Sequence, residues 1–365
     1  RGTVVVHPSD ELYGADRVLL EVVDVLRASG PVEVWLPDDV AYPGRPLTRR
    51  LEAAGITVRR LPLPVLRRAY LRPGGILGLI SRLVRTHSLL RRRRPGLVYI
   101  NTSALLSLAP SARWLGARVV LHLHESWRPS DRRILGPALR FCDAVFAVSE
   151  AIVEQLPRRR PSTIVLANGF PEPLVTPGLR ESMRRRVCAG PADIVVLIAS
   201  RWNEWKGHEV LLRAWGRQTR DDLRLAILGG PPSVGEGFDV QAAAAASERA
   251  DHLTVVGETD DVATWIEASD LVVVPSTRPD PLPTIGIEAL AVGRAVLASD
   301  SGGLPEIVED GTTGRLLPPG NVEAWAEALG ALDARELQRW GAAGREKYER
   351  VYTQAAFRDR LGHAL

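Results

Sequence analysis

Along the chain, short and continuously apolar β-branched runs alternate with longer stretches whose apolar positions recur at helical spacing. The runs Thr3–His7, Val32–Leu36, Thr57–Arg60, Leu97–Ile100, Val119–Leu123, Ala144–Val148 and Ile164–Leu166 read as strands. They are too uniformly apolar to leave one face in water, which predicts a parallel sheet covered by helices on both sides. Between Gly169 and Pro191 the alternation stops and Pro171, Pro173 and Pro177 appear among arginines, which makes 171–190 the candidate linker. The pattern then restarts with Ile194–Ala199, Leu223–Leu228, Leu253–Val256, Leu271–Val274, Ala295–Ala298 and Gly314–Leu316. Two doubly wound α/β domains, 1–170 and 191–348, facing each other across a cleft, are therefore expected. The last stretch is helical, with Val351, Ala355, Phe357 and Leu361 at apolar positions. No strand follows it, so it either caps the second domain or, as a helix over 349–365, crosses back to the first.

Composition narrows the class. The chain has 365 residues, 45% hydrophobic and 25% charged, which suits a globular protein of about two domains and excludes a disordered or disulfide-scaffold class. Cys142 and Cys188 have no partner spacing for zinc or a redox pair, which fits a reducing, cytoplasmic setting. No run is long enough for a membrane span, and the first residues lack a signal-peptide pattern. The net charge of +4 hides a division: residues 1–170 hold 26 Arg against 14 acids, whereas 171–365 hold 21 Arg plus Lys against 29 acids. Two halves of opposite sign suit different partners. Only Lys206 and Lys347 are lysines among 47 basic residues. A lysine surviving in that background invites a reason, although Lys347, in the run Arg345-Glu-Lys-Tyr-Glu-Arg, reads as an exposed helix residue.

Neither nucleotide fingerprint is present: no strand leads into Gly-x-Gly-x-x-Gly, and Gly-x4-Gly-Lys-Ser/Thr does not occur. No Asp-x-Asp or His/Cys/carboxylate cluster has metal-ligand spacing, so no divalent metal is implied. The most informative stretch runs from Val274 to Gly293. A buried strand ends at Pro275, a proline-broken loop follows, and a helix begins near Thr284. A helix start at a strand's carboxyl end suits a diphosphate. Asp280 and Glu288, eight positions apart, flank it as hydroxyl acceptors; alternatively Asp280 only caps the helix and Glu288 lies on a solvated face. After the first strand of the second domain, Arg201 and Lys206 are two cations placed to converge on the same point, a fork and a point charge suited to phosphate. The alternative there is an ordinary surface pair.

In the first domain, alternation places His122 and His124 on the same side of a strand, with only His124 at its carboxyl edge; a satisfied core histidine is the rival reading. The segment from His7 to Arg17 joins the first strand to the first helix. Gly14 permits close approach there, although a single glycine among acids makes a weak phosphate cradle. The basic excess concentrates in Arg67, Arg68, Arg72, Arg82, Arg85 and Arg91–Arg94, interleaved with Leu, Ile and Val. This is a candidate face for an anionic membrane surface or anionic acceptor, or else a solvated arginine-rich helix. With Tyr70 as its one aromatic, it does not read as a nucleic-acid surface.

Taken in order, the Gly14 loop, His124, Val148-Ser149-Glu150, Asn168-Gly169, Arg201-x4-Lys206-Gly207, Ala268-Ser-Asp270, Pro275-Ser276, Asp280-x7-Glu288-Ala289 and Gly302-Gly303-Leu-Pro-Glu306 resemble the retaining glycosyltransferases of the family 4 type, which have the GT-B fold. The resemblance implies an N-terminal acceptor-binding domain and a C-terminal donor-binding domain for a nucleotide diphosphate sugar, with no metal or other cofactor. Arg201 and Lys206 match the pair that holds the diphosphate. Glu288 matches the acid that binds the ribose, and Asp280 stands where a Glu usually contacts the transferred sugar. Leu282, Pro283, Thr284 and Ile285 match the loop whose backbone meets phosphate and sugar; the proline lacks a donor, which shifts that role to Thr284. His124 matches a histidine that contacts the donor sugar, and Gly14 the loop beneath the phosphate.

The implied activity is transfer of a hexosyl group, with retention, to an acceptor hydroxyl of a membrane-linked or cell-envelope glycan or glycolipid precursor, by a protein peripheral at the inner face of the membrane. Two other readings stay open. One is a nucleotide-sugar 2-epimerase of the same fold, the other a catalytically silent subunit that binds glycan or membrane.

Overall fold

All thirteen apolar runs are strands in the computed structural model, with ends that differ from the sequence reading by at most two residues. The structure describes residues 2–12, 14–67, 73–232 and 236–365. The chain divides into two units, Arg1–Gly169 with Gln354–Leu365, and Phe170–Thr353. The first holds strands β1 (Thr3–Val6), β2 (Val32–Pro37), β3 (Thr57–Leu61), β4 (Leu97–Asn101), β5 (Arg118–Leu123), β6 (Ala144–Ala147) and β7 (Ser162–Val165). They form one parallel sheet in the order β3-β2-β1-β4-β5-β6-β7. The second holds β8 (Ile194–Ala199), β9 (Leu223–Leu228), β10 (Leu253–Gly257), β11 (Leu271–Val274), β12 (Ala295–Ser299) and β13 (Gly314–Leu317), parallel in the order β10-β9-β8-β11-β12-β13. Each is a doubly wound α/β sheet. Strand order reverses between β1 and β4 in one unit and between β8 and β11 in the other.

The core of the first unit explains why the last helix belongs to it. Phe357 and Leu361, on the helix Gln354–Ala364, are fully buried against Val18, Val22 and Leu26 of the helix Gly14–Ala28 and their neighbours. Gln354 Nε2 and Arg358 Nε also donate to Glu21 at 2.5 and 2.6 Å. This helix begins at Gln354 rather than near 349. Residues Tyr348–Tyr352 form a π-helical turn in the second unit, and the Tyr348 hydroxyl donates to the Phe170 carbonyl there.

Part of the expected linker is also folded. Arg180–Arg186 is a helix of the second unit, held because buried Arg184 donates to Asp270 at 2.8 Å and to the carbonyls of Gly190 and Asp193. A guanidinium that bonds a carboxylate and two carbonyls anchors a short helix that its own propensity would not sustain.

Lys347 corrects the sequence reading. It is 7% exposed, not solvated, and its Nζ lies 2.9 Å from Glu309 of a separate loop. The basic stretch is likewise less free than its sequence suggests. Arg67 makes a two-pronged pair with Asp39 at 2.9 and 3.2 Å, and Arg82 pairs with Asp38 at 2.8 Å. Arg68, Tyr70 and Arg72 lie outside the described residues.

Replacing Phe357 by Ala should remove about 3–5 kcal/mol from the stability of the first unit, as for other buried aromatics. Urea denaturation followed by hydrogen exchange of β1 and β4 will measure it; a loss under about 1 kcal/mol would mean that the helix is not part of that core.

Candidate active site

The second unit places two loops side by side at its switch point. After β8 the chain passes Arg201 and a 3-10 turn, Glu204–Lys206, before the helix His208–Trp215. After β11 it passes the prolines at 275, 279, 281 and 283 before the helix Thr284–Ala291. The loops are joined by their backbones, because Thr277 N donates to Trp205 O at 2.8 Å. Two glycines make the close fit feasible. Gly207 has φ +80, and a Cβ there would overlap the Pro275 carbonyl oxygen; a Cβ at Gly303 would overlap the carbonyl of Pro281. Gly303 N also donates to Asp280 O at 2.8 Å, which fixes the acid's backbone.

On this frame Lys206 Nζ donates to Asp280 Oδ2 at 2.7 Å, and it lies 4.2 Å from the centre of the Trp205 indole. Both side chains are mostly covered, 21% and 13% exposed, so the pair is screened less than a surface bridge. Arg201 is exposed and makes no hydrogen bond or ion pair among the described residues. The helix Thr284–Ala291 starts at Pro283, whose side chain makes no capping bond, so its positive dipole end is not neutralised by its own N-cap. Leu282 and Pro283 are buried behind it, while Thr284 is exposed and Ile285 and Glu288 are half-buried. Thr284, Ile285 and Glu288 line a cavity of about 610 Å³ with Ser200, Gly229 and Glu258, at the carboxyl ends of β8, β9 and β10. Next to it His208 is buried, and burial with the Lys206 charge pushes its pKa down to about 4, so it is neutral.

A larger cavity, about 690 Å³, opens at the opposite, amino-terminal edge of this sheet. Its arginines are already engaged: Arg180 and Arg184 pair with Asp270 at 3.2 and 2.8 Å, and Arg294 with Glu267 at 3.4 Å. That edge also lacks the strand carboxyl ends at which such sheets bind ligands. We therefore place the candidate site at the smaller cavity.

The first unit has its own polar cluster at the β1/β4 switch point. His124 follows β5 and donates from Nε2 to Asn101 Oδ1 at 2.9 Å. Asn101, which ends β4, donates from Nδ2 to His7 Nδ1 at 2.9 Å, and His7 Nε2 lies 2.5 Å from Asp16 Oδ1. Burial, reinforced by the neighbouring His122 and His7, holds the His124 pKa well below its usual value. His122 Nδ1 is hydrogen-bonded to the Tyr99 hydroxyl at 2.8 Å, and burial pushes the His122 pKa down to about 3. Its ring centre lies 4.0 Å from that of His124, so strand alternation does put the two on one side. Gly14 begins the first helix, and a Cβ there would meet no heavy atom within 4 Å, so protein packing does not require this glycine. Sequence reasoning missed His7 and Asn101. Their signal is that each polar residue closes a buried strand at the switch point. Among the described residues no group of three or more His, Cys, Asp or Glu is arranged to hold a metal ion.

Two parallel doubly wound sheets in one chain, each with its polar cluster at the switch point, define the GT-B fold class. The structure aligns over its whole length with that of Anabaena HepE in complex with UDP, at a TM-score of 0.81 and 20% identity, covering 99% of that chain. It also aligns with a lipopolysaccharide outer core galactosyltransferase, WaaB, at 0.75 and 16% identity, covering 99% of this chain and 98% of that one. The family descriptions "Glycosyl transferase 4-like domain" and "Glycosyl transferases group 1" match residues 13–169 and 193–334, most of the chain between them. The chain belongs to the glycosyltransferases. It is 27% identical over 246 residues, 64% of its length, to the lipopolysaccharide 1,2-N-acetylglucosaminetransferase of Salmonella typhimurium, and 32% identical over 222 residues, 58% of its length, to the D-inositol 3-phosphate glycosyltransferase of Nocardia farcinica. These matches span 62% and 49% of the two relatives' own lengths.

Gly207→Ala should cost about 1–3 kcal/mol, the price of a side chain in left-handed backbone, because it also drives Cβ into the Pro275 carbonyl. Thermal unfolding will read this; an unchanged melting temperature would show that the two loops do not depend on that contact.

Proposed function

We propose that this protein is a retaining glycosyltransferase that moves a hexosyl group from a nucleotide diphosphate sugar to an acceptor hydroxyl on a membrane-linked or cell-envelope glycan or glycolipid precursor. The observation that carries the reading is the second unit's switch point, where Lys206 bonds Asp280 just before an uncapped helix start, Arg201 follows β8, and Glu288 lines the cavity at the strands' carboxyl ends. Cations and a helix dipole at that place suit a diphosphate, and a half-buried carboxylate in the cavity suits ribose hydroxyls. The UDP complex of HepE and the transferase names of the relatives support a nucleotide-sugar donor.

In this reading Arg201 and Lys206 bind the diphosphate, Glu288 accepts from the ribose, and Asp280 contacts the transferred sugar. The backbone around Leu282, Pro283, Thr284 and Ile285 meets phosphate and sugar, with Thr284 supplying hydroxyl and N–H. His124 contacts the donor sugar, and the Gly14 loop lies beneath the phosphate. The acceptor hydroxyl attacks the anomeric carbon from the face that the diphosphate leaves. The bond from carbon to the diphosphate oxygen breaks, and the departing oxygen takes the acceptor's proton. The negative charge growing on the diphosphate is stabilised by Arg201, Lys206 and the helix start, so these residues supply the stabilisation and no metal is required. Lys206 must then share its charge between Asp280 and the donor, which ties diphosphate binding to placement of the sugar-contacting acid.

A thermal-shift panel of UDP-, GDP-, ADP- and dTDP-sugars tests the donor, since a ligand that binds only the folded state stabilises it. At least one should raise the melting temperature and be consumed when acceptor is present. Lys206→Ala should cut turnover by about 10²-fold or more, as for loss of a key charge-stabilising donor. Near-wild-type turnover in that variant would sink the assignment, and interconversion of the sugar without acceptor would replace transferase by epimerase.

The acceptor side rests on the helix Pro73–Arg93. Ile76, Leu77, Ile80 and Val84 are 48–74% exposed along it, Trp114 nearby is 79% exposed against His87, and Arg85 and Arg91–Arg94 are exposed. No helix among the described residues is long and apolar enough to cross a membrane. An apolar stripe beside arginines suits the surface of an anionic bilayer, at the cytoplasmic face. Vesicles of phosphatidylglycerol with phosphatidylcholine should float the protein, vesicles of phosphatidylcholine alone should not, and L77S with I80S should abolish flotation. Absence of flotation at low salt would remove the membrane from this reading.

A further inference from the structure

The residues behind His124 at the β1/β4 switch point form an unbroken chain of hydrogen bonds whose direction is determined. Asn101 Nδ2 contacts the carbonyl oxygen of Ala15 at 3.4 Å as well as His7 Nδ1 at 2.9 Å. A carbonyl can only accept, so this atom is the amide's donor and Oδ1 is its acceptor. His7 Nδ1 must therefore be unprotonated, and the His7 proton sits on Nε2, where Asp16 Oδ1 receives it at 2.5 Å. Ser9 donates its hydroxyl to the same carboxylate oxygen. On the other side, Asn101 Oδ1 accepts at 2.9 Å from His124 Nε2, which must carry hydrogen. His7, Asn101 and Asp16 are 1%, 0% and 5% exposed, so water does not compete for these bonds.

One valence at the end of this chain is unfilled. His124 Nδ1 holds the ring's lone pair, and it is buried without a hydrogen-bond partner among the described residues. A buried acceptor left unmade is costly, and a ligand hydroxyl that donates to it recovers that cost. We infer that Asp16, His7 and Asn101 are positioning residues that hold His124 as the Nε2–H tautomer, so that Nδ1 accepts a hydrogen bond from a hydroxyl of the bound sugar. The inference rests on the reading of His124 as a sugar-contacting residue, and it adds to that reading the direction of the bond. His124 acts as a neutral acceptor and not as a cation. Water does not reach Nδ1, so the hydroxyl arrives with displacement of the atoms that cover it.

The arrangement also explains why the loop before the first helix is a poor phosphate cradle. Two of its acids have other partners: Asp16 holds His7, and Asp10 accepts from the Thr48 N–H and hydroxyl at 2.8 and 2.7 Å. Asp10 and Asp16 are thereby each tied to a separate element, Thr48 and His7.

The test uses the full chain labelled with 15N-histidine, with His124 assigned by loss of its signals in H124Q. Long-range proton–nitrogen spectra of the ligand-free wild type should show His124 protonated at Nε2 and bare at Nδ1. In N101A that single tautomer should give way to a mixture. Turnover should fall by about tenfold, the worth of one transition-state hydrogen bond, while affinity for the free nucleoside diphosphate stays unchanged. The isosteric D16N keeps the packing if N101A does not fold; it should shift the His7 and His124 nitrogen signals and lower turnover in the same direction. A wild-type His124 protonated at Nδ1 overturns the inference, as does a folded D16N with unaltered nitrogen shifts and turnover. Failure of every nucleoside diphosphate to bind would instead sink the glycosyltransferase mechanism, because the tautomer is read without ligand.

Discussion

Parallel pairing across the β1/β4 and β8/β11 boundaries is the constraint on which everything else rests. On either side of such a boundary the connections leave in opposite directions, so the carboxyl ends of the two central strands are not covered by a crossing loop. Backbone groups and short polar side chains can gather there without being sealed into the core. Asn101 closes β4 and His7 follows β1 at one boundary. Ser200 and Arg201 follow β8, and Pro275 and Ser276 follow β11, at the other. The two units thus solve the same geometric problem with different chemistry, an imidazole network in one and a cationic loop pair in the other.

The chemistry of each cluster follows from how it is neutralised. In the second unit Lys206 is balanced by a single carboxylate on a neighbouring loop, while Arg201 is left to solvent. In the reading proposed above, an anionic ligand would meet Lys206 beside its carboxylate and Arg201 with no partner among the described residues. The first unit's cluster is built instead on histidines. His122 and His124 are neutral because burial disfavours charge, so recognition there is by hydrogen-bond direction. The two clusters thus differ in kind, one charged and one neutral and directional.

The strands and the cationic loops were legible because their signals are local. A run such as Leu271–Val274 declares its burial within four residues, and Lys206 and Asp280 lie in loops whose prolines and glycines mark them. The His7–Asn101 bond was not legible. The partners are 94 residues apart and meet only because β1 pairs with β4 across two intervening strands in sequence. Lys347 was misread for the same reason: its own helix looks solvated, and the carboxylate that buries it, Glu309, comes from a loop before β13. Arg67 and Arg82 also draw their acids, Asp39 and Asp38, from another loop. Partners supplied by other elements leave no mark in a local window of sequence.

The near-absence of lysine has a chemical consequence beyond charge. Of the chain's two ε-amines, Lys347 is 9% exposed at its side chain and bonded to Glu309, while Lys206 is 21% exposed and lies on the candidate donor site. Guanidinium groups do not react with ordinary acylating reagents at neutral pH, being protonated throughout. The molecule therefore offers acylation chemistry few targets besides its terminal amine, and the more open of its two side-chain amines sits beside the candidate phosphate position. An amine-directed reagent becomes a reporter of occupancy at that position, with a bound anion registering as protection of one residue.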